Sequence, residues 1–443
     1  MSKLTSSGST TGKSLSGTGA MPQASQWIIA GYSLAFALLL MAGGRLGDSF
    51  GYRRMFILGV AGFTLASAAC GLAGNGTQLV AARLLQGATG AVMAPQALAL
   101  VQVLFDPLER VARMAMFGII GGLAAIAGPV IGGMLIEANL FGLGWRLLFL
   151  INLPVGIGAV VAGLYLLPEA RSDRPAGFDV AGIAWFALAM GALLWPLVGA
   201  GEAARGAGHF LSLLAAVPLA WLGWRHVARR VGAGRSALFD PEIFAIASFR
   251  KGLLLSIVFS AVGAGFLLVF AFALQSERGQ TPLFTGLMHM PFGLGAMLGI
   301  GVMSRNLLPR FGRKVVVAGS LVMLVAAAGS LFGATQGHWP WALVGLSLVA
   351  AGAGMGMTTG CIGPIVVSEV DRNHAGAASA MLKTCQQFGS ALGVALVGSL
   401  YFAWAYAPIS PTLAALAGIE IMLLVCTGLA ANLPRSLFGK NND

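Results

Sequence analysis

Charged side chains are scarce in this chain: Asp, Glu, Lys and Arg make up 9% of its 443 residues, against about 25% in soluble globular domains. That scarcity excludes a water-facing surface for most of the molecule. Cysteine is scarce too. Cys70, Cys361, Cys385 and Cys426 all fall inside apolar runs, with no pair at metal-ligand spacing. A loop disulfide framework and a thiolate metal site are thereby excluded, and the four are read as small packing residues. The signatures of catalysis are missing as well. There is no H-E-x-x-H, no G-x-S-x-G and no His/Asp cluster within an apolar run, so the chain is not read as an enzyme. The segment Gly8–Ser14 mimics a phosphate-binding loop, but it has three residues between its glycines where four are needed, and no strand precedes it.

What the chain has is apolar length. Hydrophobic residues make up 57% of it, gathered in thirteen runs near the roughly 20 residues needed to cross a bilayer. They lie at about 25–47, 54–74, 78–104, 111–136, 146–167, 178–199, 209–225, 250–274, 283–304, 314–334, 339–367, 375–402 and 412–432. Barrel strands would be half as long and alternate in polarity, so the fold class is all-α, a polytopic membrane protein of about 13 transmembrane helices. Charge placement agrees. With the turn at 48–54 in the cytoplasm and alternation from there, 19 of the 27 Lys and Arg are cytoplasmic and three lie on outer loops, as the positive-inside rule requires. The net charge of +12 is therefore explained by topology. It is scattered over short segments rather than gathered on a solvated domain, which excludes a nucleic-acid partner.

A repeat organises the runs. The turn Gly44-Arg45-Leu46-Gly47-Asp48-Ser49-Phe50-Gly51-Tyr52-Arg53-Arg54 returns in weaker form as Arg310-Phe311-Gly312-Arg313-Lys314, and Phe50 and Phe311 are 261 residues apart. Two parallel halves in a membrane chain are a transporter design. The expected organisation is a Ser/Thr/Gly-rich tail at 1–21, a first bundle at 22–168, two extra helices and a loop at 169–249, a second bundle at 250–435 and a tail at 436–443. The same offset places the first-half partner of the run at 250–274 near −11 to 13, where the sequence is mostly Ser, Thr and Gly with no apolar run. The expectation is five helices in the first half, six in the second, and poor transport by the chain as written.

Several residues carry candidate roles. In the charged turn, Gly44, Arg45, Asp48, Gly51, Arg53 and Arg54 form a candidate conformational latch, with Asp48 free to cap a helix N-terminus and the arginines free to pair with it or with lipid phosphate. Gly128, Pro129, Gly132 and Gly133 combine a helix kink with a close-packing face. Embedded ionisable groups are costly in lipid and point to function. Arg83 is either a relay residue or an arginine snorkelling outward. Lys383, with Gln386 and Gln387, is too deep to snorkel and is a candidate for the substrate cavity. Glu420 and His289 are candidate proton carriers, against the plainer readings of a hydrogen-bonded carboxyl and an interfacial histidine.

These motifs resemble the major facilitator superfamily, and specifically its fourteen-helix drug:proton antiporter branch. Gly44, Leu46, Asp48, Gly51, Arg53 and Arg54 match the turn after that family's second helix. Arg83, Gln86 and Gly87 match its fourth-helix pattern, at a position the family implies in proton relay. Gly128, Pro129, Gly132 and Gly133 match the fifth-helix pattern of exporters. Trp145, Arg146, Phe149, Asn152, Pro154 and Gly156 match the sixth-helix signature. The family's first helix, with its acidic residue, has no counterpart here, and Pro309 stands where a second Asp48 would be. The resemblance implies a two-bundle fold with two additional central helices. It also implies proton-coupled efflux of small organic compounds by alternating access, driven by the proton gradient with no cofactor. Expected partners are the substrate, protons and the lipid bilayer. The chain is expected to be a monomer, multi-pass in the plasma or inner membrane, with a cytoplasmic C-terminus. Import of a polar metabolite, and a truncated chain that does not transport, are the alternatives.

Overall fold

The computed structural model describes residues 22–169, 179–198, 207–235, 237–336, 339–371, 375–404 and 410–433. Both expected tails, 1–21 and 436–443, lie outside them. The described residues are helical throughout, without a strand. Thirteen long helices follow in order: α1 (Pro22–Phe50), α2 (Tyr52–Leu72), α3 (Gly76–Leu104), α4 (Pro107–Ala138), α5 (Gly144–Leu166), α6 (Val180–Val198), α7 (Ala207–Gly232), α8 (Ala247–Glu277), α9 (Pro282–Leu298), α10 (Lys314–Gln336), α11 (Trp341–Val367), α12 (Ala375–Ala403) and α13 (Pro411–Ala431).

Eleven of these are long and apolar enough to cross a membrane, or twelve if α1, bent by 47° between Leu40 and Ala42, is one span. The helix outside that count is α12, which carries Lys383, Thr384, Gln386 and Gln387. All thirteen coincide with the apolar runs of the sequence.

Local chemistry sets the boundaries. Gly51, at φ 96°, turns α1 into α2 in a conformation that other residues rarely adopt. Asn75 accepts the Gln78 N–H to cap α3, and Thr281 accepts the Phe284 N–H to cap α9, where Pro282 takes the first position. Gly312, at φ 52°, closes the short helix that follows α9. The last turn of α8 is a π-helix (Ala273–Glu277). Its Glu277 accepts hydrogen bonds from the Ser410 hydroxyl (2.8 Å), the Thr412 N–H (3.2 Å) and the Thr412 hydroxyl, so it caps α13 from another helix.

Packing divides the helices into two bundles. In the second, α8 touches α11, α12 and α13 and is the most enclosed of those eleven spans, with 61% of its apolar window buried. Its Phe259, Phe266 and Phe270 are at most 2% exposed and belong to one continuous core with α10, α11 and α13. In the first bundle, α3 packs between α1 and α2, and α5 lies on α2. Among the described residues no helix takes the place that α8 holds in the second bundle.

Candidate functional site

The bundles meet along two seams, α1 against α12 and α4 against α9. The α4–α9 seam is a backbone-to-backbone crossing. A Cβ on Gly133 would lie 2.6 Å from the Pro282 carbonyl oxygen, and one on Gly286 would lie 2.4 Å from that of Pro129. Only hydrogen fits there, so Pro129 and Gly133 of the kink motif shape a surface between bundles. Gly128 and Gly132 do not: no described atom lies within 4 Å of a Cβ at Gly128, and at Gly132 the nearest is a Leu148 side-chain atom at 3.4 Å. The α1–α12 seam is apolar, built from Ala30, Leu34 and Ala37 against Phe388, Ala391, Val394 and Ala395. The extra helix α6 covers this seam with Leu194 and with a Trp27–Trp195 ring pair at 5.5 Å. The extra hairpin therefore leans on the α1–α12 seam through α6.

Arg83 is turned inward rather than outward. Its Nε donates to the Ile28 carbonyl (2.8 Å) and its NH1 to Gln86 Oε1 (2.6 Å), while its guanidinium lies 4.4 Å from the centre of the Tyr32 ring. Gln86 in turn donates to Ser67 Oγ (2.7 Å), which also receives Asn152 Nδ2 at 3.4 Å. A half-buried cation is thus held by neutral acceptors and an aromatic face, and residues of the fourth- and sixth-helix patterns join in one network across α1, α2, α3 and α5. Charge-assisted bonds in a low-dielectric interior are the strong ones. Spacing gave the motifs; that they touch one another is visible only in the fold.

The charged turn is wired differently from the simplest expectation. Asp48 accepts the Tyr52 hydroxyl (2.8 Å), whereas Arg53 and Arg54 reach Glu169 at 3.2 and 3.8 Å, and Arg53 also donates to the Gly163 and Leu164 carbonyls. Arg45 donates to the Ala237 carbonyl (3.0 Å) in the loop after α7. That loop leads to Asp179, which sequence reasoning missed. Asp179 is buried at the start of α6 and accepts the Gly182 N–H (3.0 Å), His226 Nε2 (2.9 Å) and the Leu238 N–H (3.3 Å), with Arg230 Nε at 3.7 Å. Burial pushes its carboxyl up, but the Gly182 N–H, His226 and Arg230 together hold it below the ordinary carboxylate value. The available signal was an acid at a helix start with His and Arg one turn apart on the next helix.

The remaining candidates do not converge on one point. On α12, the step of about 100° per residue places Lys383, Gln387 and Ser390 in one polar stripe. That stripe runs between the row facing α1 and the glycines Gly389 and Gly393, which touch Ile257 and Ala261 of α8. Lys383 is exposed, Gln386 and Gln387 half-buried. His289 is fixed by its own helix, with Nδ1 2.7 Å from the Thr285 carbonyl and its ring against Phe270. Glu420, on α13, has a buried Oε1 with no hydrogen-bond partner. Among the described residues no cluster of His, Cys, Asp or Glu could hold a metal.

Comparison with known proteins bears on the family and the fold. The family model described as Major Facilitator Superfamily matches residues 13–394. A probable actinorhodin transporter of Streptomyces coelicolor is 38% identical over 85% of this chain and 66% of its own length. A tetracenomycin C resistance and export protein of Streptomyces glaucescens is 35% identical over 85% of this chain and 68% of its own. The chain thus spans about two thirds of the length of these relatives. A bacterial homologue of the human lysosomal transporter Spinster, solved inward-facing and occupied, superposes with a TM-score of 0.61 over 94% of this chain and 98% of its own, at 14% identity. That likeness concerns the fold alone.

Proposed function

The chain belongs to the major facilitator superfamily, and from that premise we propose that it is a proton-coupled exporter of small organic compounds, of the fourteen-helix antiporter type, working by alternating access between its two bundles. The observation that carries the reading is the pair of seams. One is an apolar contact of small residues and the other a glycine crossing, and surfaces of this kind can rock against each other without breaking strong bonds. The names of the two Streptomyces relatives, a transporter and a resistance and export protein, favour export. In this reading Arg45, held by Ala237, and Asp48 set the conformational balance at the cation-rich end, which faces the cytoplasm together with the C-terminus. The stripe of Lys383 and Gln387 faces the substrate path. Among the proton-carrier candidates Glu420 is favoured by its unpartnered buried oxygen, whereas Arg83 organises the first bundle and His289 is already bonded. The proton gradient supplies the energy, and the protein acts as a monomer in the plasma or inner membrane.

The test is dye export into inverted vesicles with the pH gradient monitored. Substrate addition is expected to dissipate the gradient in the wild type, against the poor transport expected from a five-helix first half. Glu420→Gln is expected to abolish that response while still binding dye. Arg83→Ala should lose export entirely, and Arg83→Lys should keep a fraction, because a point charge replaces a planar fork. Substrate movement without proton movement in the wild type would overturn the coupling.

A further inference from the structure

Two cavities on the protein surface lie away from the residues above, on the outer side of the second bundle, and they share one residue. The first, of about 310 Å³, is lined by Arg313, Lys314, Val317, Ala318, Leu321 and Ala431. The second, of about 670 Å³, begins at Leu321 and continues past Val325 towards Trp339 between α10 and α11. Lys314, Val317/Ala318, Leu321 and Val325 follow the three- and four-residue spacing of one helix face. They form a single groove that is cationic at one end and apolar along its length. Leu321 and Val325 are 44% and 70% exposed along it.

The cations at its head have different duties. The end of α13 leaves carbonyls without helical partners, and two cations meet them: Arg313 NH1 donates to Leu433 O (2.5 Å) and Lys251 Nζ to Asn432 O (2.9 Å). Lys314, on the groove wall, has no partner among the described residues, and no acidic side chain lines the cavity. From Lys314 to Val325 the helical rise covers about 16 Å, close to the roughly 15 Å hydrocarbon depth of one leaflet.

We propose that this groove is a binding site for one anionic phospholipid of the cytoplasmic leaflet, with its phosphate at Lys314 and the free edge of Arg313 and an acyl chain along Val317, Leu321 and Val325. The charge at the head, the apolar lining and the one-leaflet length together fit this occupant. A soluble anion would have no use for the apolar walls, and a neutral lipid none for the unpaired lysine. The site lies outside both seams, so it stabilises the second bundle rather than taking part in substrate movement.

The experiment is native mass spectrometry of the detergent-purified protein with phosphatidylglycerol or phosphatidylcholine of identical chains. The wild type is expected to retain one phosphatidylglycerol about tenfold better than phosphatidylcholine. Lys314→Glu should lose that preference, since it reverses the charge at an exposed position. Leu321→Trp should lose retention with the charge intact, by filling the groove. Thermal melting with added lipid gives the second readout, in which phosphatidylglycerol should raise the midpoint of the wild type only. Unchanged retention in both variants, equal retention of the two lipids, or equal melting shifts in wild type and Lys314→Glu would each overturn the proposal.

Discussion

The two bundles repeat one plan, yet α12 and α4, matching helices at an offset of 261 residues, sit in opposite surroundings. Gly389 and Gly393 of α12 press on α8, where a Cβ would come within 2.2 Å of the Ile257 carbonyl oxygen and 2.0 Å of that of Ala261. Their counterparts Gly128 and Gly132 face no backbone at all among the described residues. The same contrast runs through the whole molecule. The apolar window of α8 is 61% buried, while those of α4 and α5 are 12% and 11% buried. The second bundle is therefore held by burial around a central helix. The first is held by glycine contacts among α1, α2 and α3 and by directional polar bonds, those of Arg83 and the Gln96 Nε2 bond to the Gly43 carbonyl (2.6 Å). A repeated sequence pattern does not impose a repeated way of being stabilised.

The comparison breaks most visibly at its centre. Phe266→Ala removes a fully buried ring that stacks on Phe270 and tilts against Phe292, and should cost about 3–5 kcal/mol. Leu123→Ala on the exposed face of α4 should change stability by less than about 0.5 kcal/mol. Thermal unfolding in detergent separates the two. Equal losses would mean that the first bundle has a core of its own.

The matched glycines sharpen the contrast with opposite signs. Gly393→Ala should destabilise by about 1–3 kcal/mol, because the methyl meets backbone that cannot move aside. Gly128→Ala should be neutral or stabilising by up to about 1 kcal/mol, since helix propensity is then the main effect. A destabilising Gly128→Ala would reveal something packed on that face.

The smallest effect concerns the polar clasp of the α6–α7 hairpin. Asp179→Asn should cost about 1.5 kcal/mol, read as earlier proteolysis of the hairpin. The folded carboxyl lies below its ordinary value, so its stabilisation is present above the unfolded carboxylate pKa and is lost as pH falls through the lowered folded value. The wild-type hairpin should loosen under acid while the Asn variant stays flat, and the apolar core around α8 should follow neither. Parallel acid profiles for wild type and variant would remove Asp179 from the clasp.

The residues behind the fold were legible for a simple reason. Lipid demands helices of a fixed length, so thirteen apolar runs named thirteen helices, and the spacing of Gly, Asp and Arg in the charged turn named the repeat. The first-bundle candidates were legible as motifs, and the structure joins Arg83, Gln86 and Asn152 through Ser67. The partnership of Arg53 and Arg54 with Glu169, the clasp at Asp179 and the capping of α13 by Glu277 were not legible. Each links residues 47 to 135 positions apart in the chain, and no local period records such a pairing. Nor does composition distinguish Gly393 from Gly128, because a glycine's role depends on what lies opposite. The sequence alone determined which segments are helices and which end of the molecule carries the positive charge, because those follow from hydropathy and charge counted along the chain. Only the tertiary structure decided what the extra helix of the second half is packed against, which seam the extra hairpin covers and where a lysine has no partner among the described residues beside an apolar groove, because those depend on which surfaces meet in space.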